Sequence, residues 1–139
     1  MSPEEAVRQR IIDVSTSAGT RVYMLRMPQG VTLPAIVVQL VDDIERPHLR
    51  GGNRQGEARV QVDCYVTERG GYTALLALAD AVDGDDAGSA LNGWKGTIGA
   101  MKVEHIARIT RAPSFESEEL AVIRLRLDYR VVYRDAAGT

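Results

Sequence analysis

The sequence predicts an α+β domain: two helices packed on one face of a mostly antiparallel or mixed β-sheet, in the order α-β-β-β-α-β-β. Three observations lead there. Residues 57–67 and 120–134 alternate apolar and polar side chains at period two, the mark of strands with one buried face. Residues 3–18 and 72–82 instead carry apolar residues at helical spacing. The length, 139 residues, suits one domain spanning 1–139. A chain of that size buries roughly 68–70% of its unfolded surface, enough for a core without disulfide or metal staples.

Taken in order, Ser2-Pro3-Glu4-Glu5 is a helix start. Ser2 can cap, Pro3 suits the first turn, and Glu5 closes a capping box while facing the positive end of the helix dipole. Val7, Ile11 and Val14 continue the stripe, with the helix predicted to about Ala18 and ended by Gly19. Residues 21–26 read as a short strand and Met27-Pro28-Gln29-Gly30 as a turn. Residues 34–41 (PAIVVQLV) form an apolar, β-branched run suited to a strand buried on both faces, with Pro34 at its first position. Residues 42–55 (DDIERPHLRGGNRQ) are polar and aperiodic and are expected to form a long, mobile loop.

In the next strand, Ala58, Val60, Val62, Cys64 and Val66 point one way and Arg59, Gln61, Asp63, Tyr65 and Thr67 the other. After Gly70-Gly71, Leu75, Leu76, Ala79 and Val82 give the second helix its buried stripe. Residues 83–96 read as a second loop, 101–110 as a strand, 112–118 as a turn, 120–134 as the final strand and 135–139 as a frayed tail.

Composition narrows the function classes. Apolar residues make up 45% and charged residues 26%, and a net charge of −2 speaks against nucleic-acid binding driven by charge alone. Fifteen of the 17 basic residues are Arg, leaving only Lys95 and Lys102; genomic base composition produces such a bias as readily as function does. Cys64 stands alone, so no intrachain disulfide is expected, and its place in an alternating strand suits an inert buried thiol. The opening MSPEEAVRQR lacks the apolar stretch of a secretory signal, and no apolar run approaches the ~20 residues of a membrane span. A cytoplasmic protein with no membrane partner is expected.

Fragments that suggest chemistry fail on spacing. Asp83-Gly84-Asp85-Asp86-Ala87-Gly88 begins like a calcium loop, but the fifth position is Ala87 and the twelfth is Trp94, where a bidentate Glu is needed. Gly88 to Lys95 imitates a phosphate-binding loop, yet Trp94 separates the Gly from the Lys and Gly96 replaces the required hydroxyl. His48 lies in the polar loop. His105 is expected to share a face with Met101, Val103 and Ala107 as a partly buried imidazole. There is no GxSxG elbow and no zinc-ligand set, and a single Phe and 5% aromatics leave no stacking platform for single-stranded nucleic acid. No catalytic residue, cofactor or metal is expected.

The last strand is the sequence's most informative feature. Ala121, Ile123, Leu125, Leu127, Tyr129, Val131 and Tyr133 alternate with Val122, Arg124, Arg126, Asp128, Arg130, Val132 and Arg134. At ~3.3 Å per residue it reaches close to 50 Å, beyond the ~10 residues of an ordinary strand. Its arginine face is either a solvated surface covered by long stems or a subunit interface meeting a neighbour's acids.

The order of these patterns resembles a known family. A turn and strand over residues 28–40, ARVQVDCYV leading into a helix with ALLALADAV, and the closing LRLDYRVVY are similar to the tail-completion, or tail-terminator, proteins of long-tailed bacteriophages and related gene-transfer particles. The resemblance implies a non-enzymatic structural subunit forming a ring, hexameric by family habit. Such a ring caps the tail-tube protein, ends tube elongation and presents a surface to the head-neck connector protein. Genomic DNA would pass through its lumen without sequence-specific binding. Assembly would occur in the host cytoplasm, and the product would sit at the head-proximal end of the virion tail.

On that basis Arg46, Pro47, His48, Arg50 and Arg54 are expected to form the tube- or subunit-contact loop. Arg124, Arg126 and Arg130, with Trp94 as either contact or core plug, are expected at the subunit interface. The alternatives are another head-tail connector or minor tail protein, or a small-molecule-binding or enzymatic α+β domain.

Overall fold

A computed structural model describes residues 1–47, 54–117 and 121–135, and the side chains of 1–44, 55–113 and 121–134. Helix α1 (Pro3–Val14) is followed by strands β1 (Val22–Met24), β2 (Ala35–Pro47) and β3 (Arg54–Thr67). After a 3-10 turn at Glu68–Gly70 come helix α2 (Gly71–Asp83) and strands β4 (Gly96–Ile98), β5 (Met101–Ser117) and β6 (Val122–Asp135). The predicted order is present, with β4 as an additional three-residue strand. The six strands form one sheet in the order β1-β2-β3-β6-β5-β4; β1 joins β2 in parallel and the other neighbours are antiparallel.

The first helix starts as the sequence indicates. Ser2 Oγ accepts the Glu5 N–H and the Glu5 carboxylate reaches back to the Ser2 N–H. The hydrogen bond that the Ser2 hydroxyl donates to the Glu5 carboxylate at 2.8 Å, and then the one from the Ser2 N–H, hold the Glu5 carboxyl below its ordinary pKa. The helix stops earlier than expected, at Val14, where Ser15 turns left-handed (φ 62°). The Val-Ser-Thr-Ser run explains the shortening, since β-branched and hydroxyl residues compete with helical hydrogen bonding. Thr16 Oγ1 instead accepts the Ala18 N–H.

Both helices cover one face of the sheet. Ala6, Val7 and Ile11 of α1 and Leu75, Leu78, Ala79 and Val82 of α2 meet Ile36, Val38, Val60, Val62, Cys64, Leu125, Leu127, Tyr129 and Val131 in a single core. Leu76, predicted in the buried stripe, packs at its margin and Leu78 takes the deeper place. Burial on both faces of β2 holds for Ala35–Val38 and ends beyond it. There Val37 joins Tyr65 and Val122 in a small second cluster under Met27 and Leu33. Cys64 is fully buried, and desolvation pushes its thiol pKa far up, which leaves it unreactive.

The strand expected over 21–26 is shorter, only Val22–Met24, whereas three other segments lengthen a strand. The loop expected over 42–55 is narrower, because Asp42–Pro47 and Arg54–Arg59 continue the β2–β3 ladder past a bulge at Val41. Its remainder, with His48 and Arg50, lies outside the described residues. The turn expected over 112–118 is strand: β5 stays paired with β6 through Ser117↔Val122. Long-range pairing supplies to these polar stretches the hydrogen bonds that their composition does not advertise. The tail expected over 135–139 begins one residue later, since β6 includes Asp135, and its remainder lies outside the described residues.

His105 is the third kind of correction. A bulge between Val103 and His105 shifts the register, so Ile106 takes the core side and His105 is exposed.

One polar cluster penetrates the core. Tyr129 Oη donates to Asp83 Oδ1 at 2.7 Å, and Arg108 Nη1 contacts Asp83 Oδ2 at 2.7 Å. Both lone-pair sides of a buried carboxylate are thereby occupied, which permits its burial. Burial, and then the bond to Asp83, push the Tyr129 pKa far up and keep the phenol a donor. At the far end of the sheet Tyr133 lies across Gly56 and donates to Asp43 at 2.5 Å; a Cβ at residue 56 would occupy the tyrosine ring's position. Tyr129→Phe should lower unfolding free energy by about 1.5–3 kcal/mol, the range for a hydrogen bond to a charged group. Urea unfolding followed by circular dichroism should show a midpoint lower by roughly 1 M with an unchanged slope.

Candidate functional site

The face of the sheet turned away from the helices carries the arginines. Rungs of β3 and β6 set its pattern: Tyr65 opposite Arg124, Asp63 opposite Arg126, Gln61 opposite Asp128 and Arg59 opposite Arg130. Side chains directly across an antiparallel rung sit within contact distance, so this register decides the ion pairs.

Arg126 Nε lies 3.0 Å from Asp63 Oδ1, and Asp63 is only 4% exposed. Gln61 Nε2 donates to the other Asp63 oxygen at 3.3 Å. The hydrogen bond to Asp63 raises the Arg126 pKa, outweighing the opposing effect of burial. Farther along, Arg130 stands opposite Arg59, a like-charge rung, and is balanced by Glu57 at 2.6 Å. Thr110 Oγ1 donates to Asp128 at 2.9 Å, and Arg134 pairs with Glu104 at 2.9 Å.

Arg126 and Arg130, expected to meet acids of an adjacent subunit, therefore meet acids of their own chain. The cause is that β3 delivers Asp63 and Glu57 to the same face. Arg124 joins Arg126, Arg26, Asp63 and Tyr65 around a recess of about 360 Å³ beside residues 25–27. The face as described is a charge-paired surface, and Met27 and Val122 also line a neighbouring recess of about 560 Å³ with residues 28–31 and Leu33.

The other expected contact residues fall elsewhere. Arg46, Pro47 and Arg54 are brought together at the end of the β2–β3 hairpin, where Pro47 pairs with Arg54 and Arg46 with Gln55. Trp94 belongs to neither group. It packs against the main core on the helix side, under the Arg10 guanidinium at 4.7 Å from its ring centre. Arg10 is itself held by the carbonyls of Ala90 and Ser89. Trp94 is half-buried, with one side on the core and part of it exposed.

The loop that imitates a calcium site uses its carboxylates internally. Asp85 Oδ1 accepts the Ala87 and Ser89 N–H groups at 3.0 and 3.1 Å, which lowers its pKa, and Asp86 accepts from the Asn92 amide. Among the described residues, no three His, Cys, Asp or Glu side chains converge on one point. No helix among them is long and apolar enough to cross a membrane.

Sequence reasoning did not single out Asp63, Glu57 and Glu104. Alternation places Asp63 on the polar side of β3, but only the register reveals its partner. The two halves of the Asp63–Arg126 pair are unequally buried, so their removal should be unequal. Arg126→Ala strands a buried carboxylate and should cost about 3 kcal/mol, whereas Asp63→Ala leaves an arginine that water can reach and should cost about 1 kcal/mol or less. Thermal unfolding of the two variants side by side tests that asymmetry.

Comparison with known proteins fits this geometry. A family model described as tail completion protein gp17 matches residues 5–134, which include nearly all of both helices and of the sheet. Among solved structures, a chain from the virion of a native gene transfer agent particle superposes with a TM-score of 0.60 at 18% identity, covering 96% of this chain and 95% of that chain. That likeness shows a shared fold. No curated protein sequence matches the chain. With a family model spanning both the helical layer and the sheet, the chain belongs to the tail completion protein gp17 family and is a structural tail protein.

Proposed function

We propose that copies of this chain assemble into a ring of six that caps the tail tube at its head-proximal end, stops tube elongation and presents the surface to which a head-neck connector attaches. The observation that carries this reading is the family match over residues 5–134, because it spans the complete fold rather than one motif. Ring closure by identical subunits requires two different surfaces on each copy that are complementary to one another. The chain offers candidates in its hairpin end and its arginine-bearing face.

Arg46, Pro47 and Arg54, with His48 and Arg50 beyond them, are assigned to contact with the tube or a neighbouring subunit. Arg124 and Arg130 are assigned to the subunit interface, and Arg126 supports that face by holding Asp63 in place. Genomic DNA passes through the lumen without being read, assembly takes place in the host cytoplasm, and the chemistry is mechanical closure rather than catalysis.

The test is a particle whose gene for this chain is disrupted, complemented in trans with the wild-type chain or with a chain lacking Pro47–Arg54. Electron microscopy of the disrupted particle should show tubes of irregular, extended length and heads without tails. The wild-type chain should restore one tube length, and the deletion should not, although circular dichroism should show it folded. Tubes of normal length without the chain would overturn the capping function. Normal capping by the deletion would remove the hairpin end from it.

A further inference from the structure

The sheet ends in two edges that its short outer strands cover only in part. On one side, β1 pairs with Ile36, Val37 and Val38, and the Leu25 N–H reaches the Val38 carbonyl. Beyond that point, among the described residues, no main-chain partner takes the outer side of β2 from Gln39 to Pro47. On the other side, β4 pairs with residues 101–103, the Gly93 N–H and Trp94 carbonyl bond to Ile106, and Asn92 Oδ1 accepts the Arg108 N–H. From Ile109 to Ser117 the outer side of β5 is likewise open among the described residues. Open edges of this length are templates for another strand.

The two edges suit one another. Strand β2 is antiparallel to β3, β3 to β6, and β6 to β5, so β5 runs opposite to β2. A second copy set alongside in the same sense therefore brings its β2 antiparallel to the first copy's β5.

Their levels differ in a way that fixes a stagger. The open part of β2 starts level with Asp128 of β6 (Gln39↔Gln61↔Asp128) and continues past Arg134 (Arg46↔Gln55↔Arg134). The open part of β5 runs from Asp128 (Thr110↔Asp128) down to Val122 (Ser117↔Val122). To pair them, neighbouring copies must slip by about six residues, ~20 Å at ~3.3 Å each. Across β2, β3, β6 and β5, ~19 Å at ~4.8 Å per strand, that slip corresponds to a strand tilt of about 45°, as in closed barrels. Strands β1 and β4 cover the levels that an unstaggered neighbour would use.

Residues 39–47 hold Asp42, Asp43 and Glu45 against one Arg46, and 109–117 hold one base, Arg111, and one acid, Glu116, so charge does not set the pairing and the levels of the two open edges do. Val41 (51% exposed), Ile44 (52%) and Ile109 (45%) are exposed aliphatics on these two stretches, and Val41 and Ile109 are both bulge residues. The bulges, and Pro113 with no N–H to give, interrupt each edge and restrain indiscriminate strand addition.

We propose that copies of this chain join head to tail through their sheet edges, β2 residues 39–47 of one pairing antiparallel with β5 residues 109–117 of the next. The result is one continuous sheet around the ring. This rests on the ring reading given above and supplies its joint.

A slip of six sets Ile44 of one copy beside Ala112 of the next, both exposed. The double variant Ile44→Cys/Ala112→Cys, assembled at high concentration with and without tail tubes and then oxidised, should run as a ladder of multimers on a non-reducing gel. The two single variants mixed should give dimers only, and each alone none; Cys64 is too buried to contribute. Pairing Ile44→Cys with Thr110→Cys or Ser114→Cys covers slips of four and eight. Rings seen by native mass spectrometry without cross-linking in any of the three pairs would overturn the edge joint and leave the ring reading standing. Absence of rings and of cross-links under both conditions would overturn both.

Discussion

From Gln55↔Arg134 to Thr67↔Val122, β3 and β6 run side by side through the middle of the sheet, and the rest of the molecule takes its geometry from that ladder. Side chains on a strand alternate between faces, so a slip of one residue would send Val60, Val62 and Cys64 to the open side and bring Arg59, Gln61 and Asp63 under the helices. The apolar set on one face and the charged set on the other make any such slip costly. The same register places Tyr129 where it reaches Asp83 at the end of α2, Tyr133 over Gly56, and Arg126 against Asp63. Core, helix anchoring and surface charge pairing are thus three results of one alignment.

That ladder also determines what the arginine face can offer a partner. An arginine with a good in-chain carboxylate gains little by exchanging it for another, since the exchange replaces one ion pair with a similar one and desolvates more charge. Arg126 is in that position, while the Arg130–Glu57 pair is more open to water, with side chains 56% and 37% exposed. Recognition on this face therefore depends on shape and on the paired charges acting as a group. The open main chain at the two sheet edges has no such internal competitor among the described residues.

Legibility in the sequence followed the range of the interactions. The capping box at Ser2 and Glu5 and the alternation of β3 and of Leu125 to Tyr133 are local signals, and they placed α1, the core strands and the buried face. Three features depended on distant partners. Residues 42–47 look like a polar loop until β3 pairs with them. Residues 112–117, containing Pro113, look like a turn until β6 does. His105 changes face because one extra residue in the ladder, at a place that no local pattern marks, resets the alternation. The site divided in the same way: the arginines were visible as a row, but their acids were not, because Asp63 and Arg126 are far apart in the chain. Trp94, expected at the subunit interface from its Gly-flanked loop, also packs on the core beneath Arg10, a contact that no local pattern marks.

The position of β6 between β3 and β5 also bears on how the chain is made. It follows every other strand in the sequence, yet it fills the centre of the sheet, so in a nascent chain reaching only β5 the strands fall into two unjoined groups, β1-β2-β3 and β4-β5. The β2–β3 hairpin can form early from local contacts, but its inner edge waits for a strand that emerges from the ribosome much later. Tyr129, the donor to Asp83, arrives with it. Incomplete chains consequently lack the continuous six-stranded sheet, which closes only when β6 enters between β3 and β5.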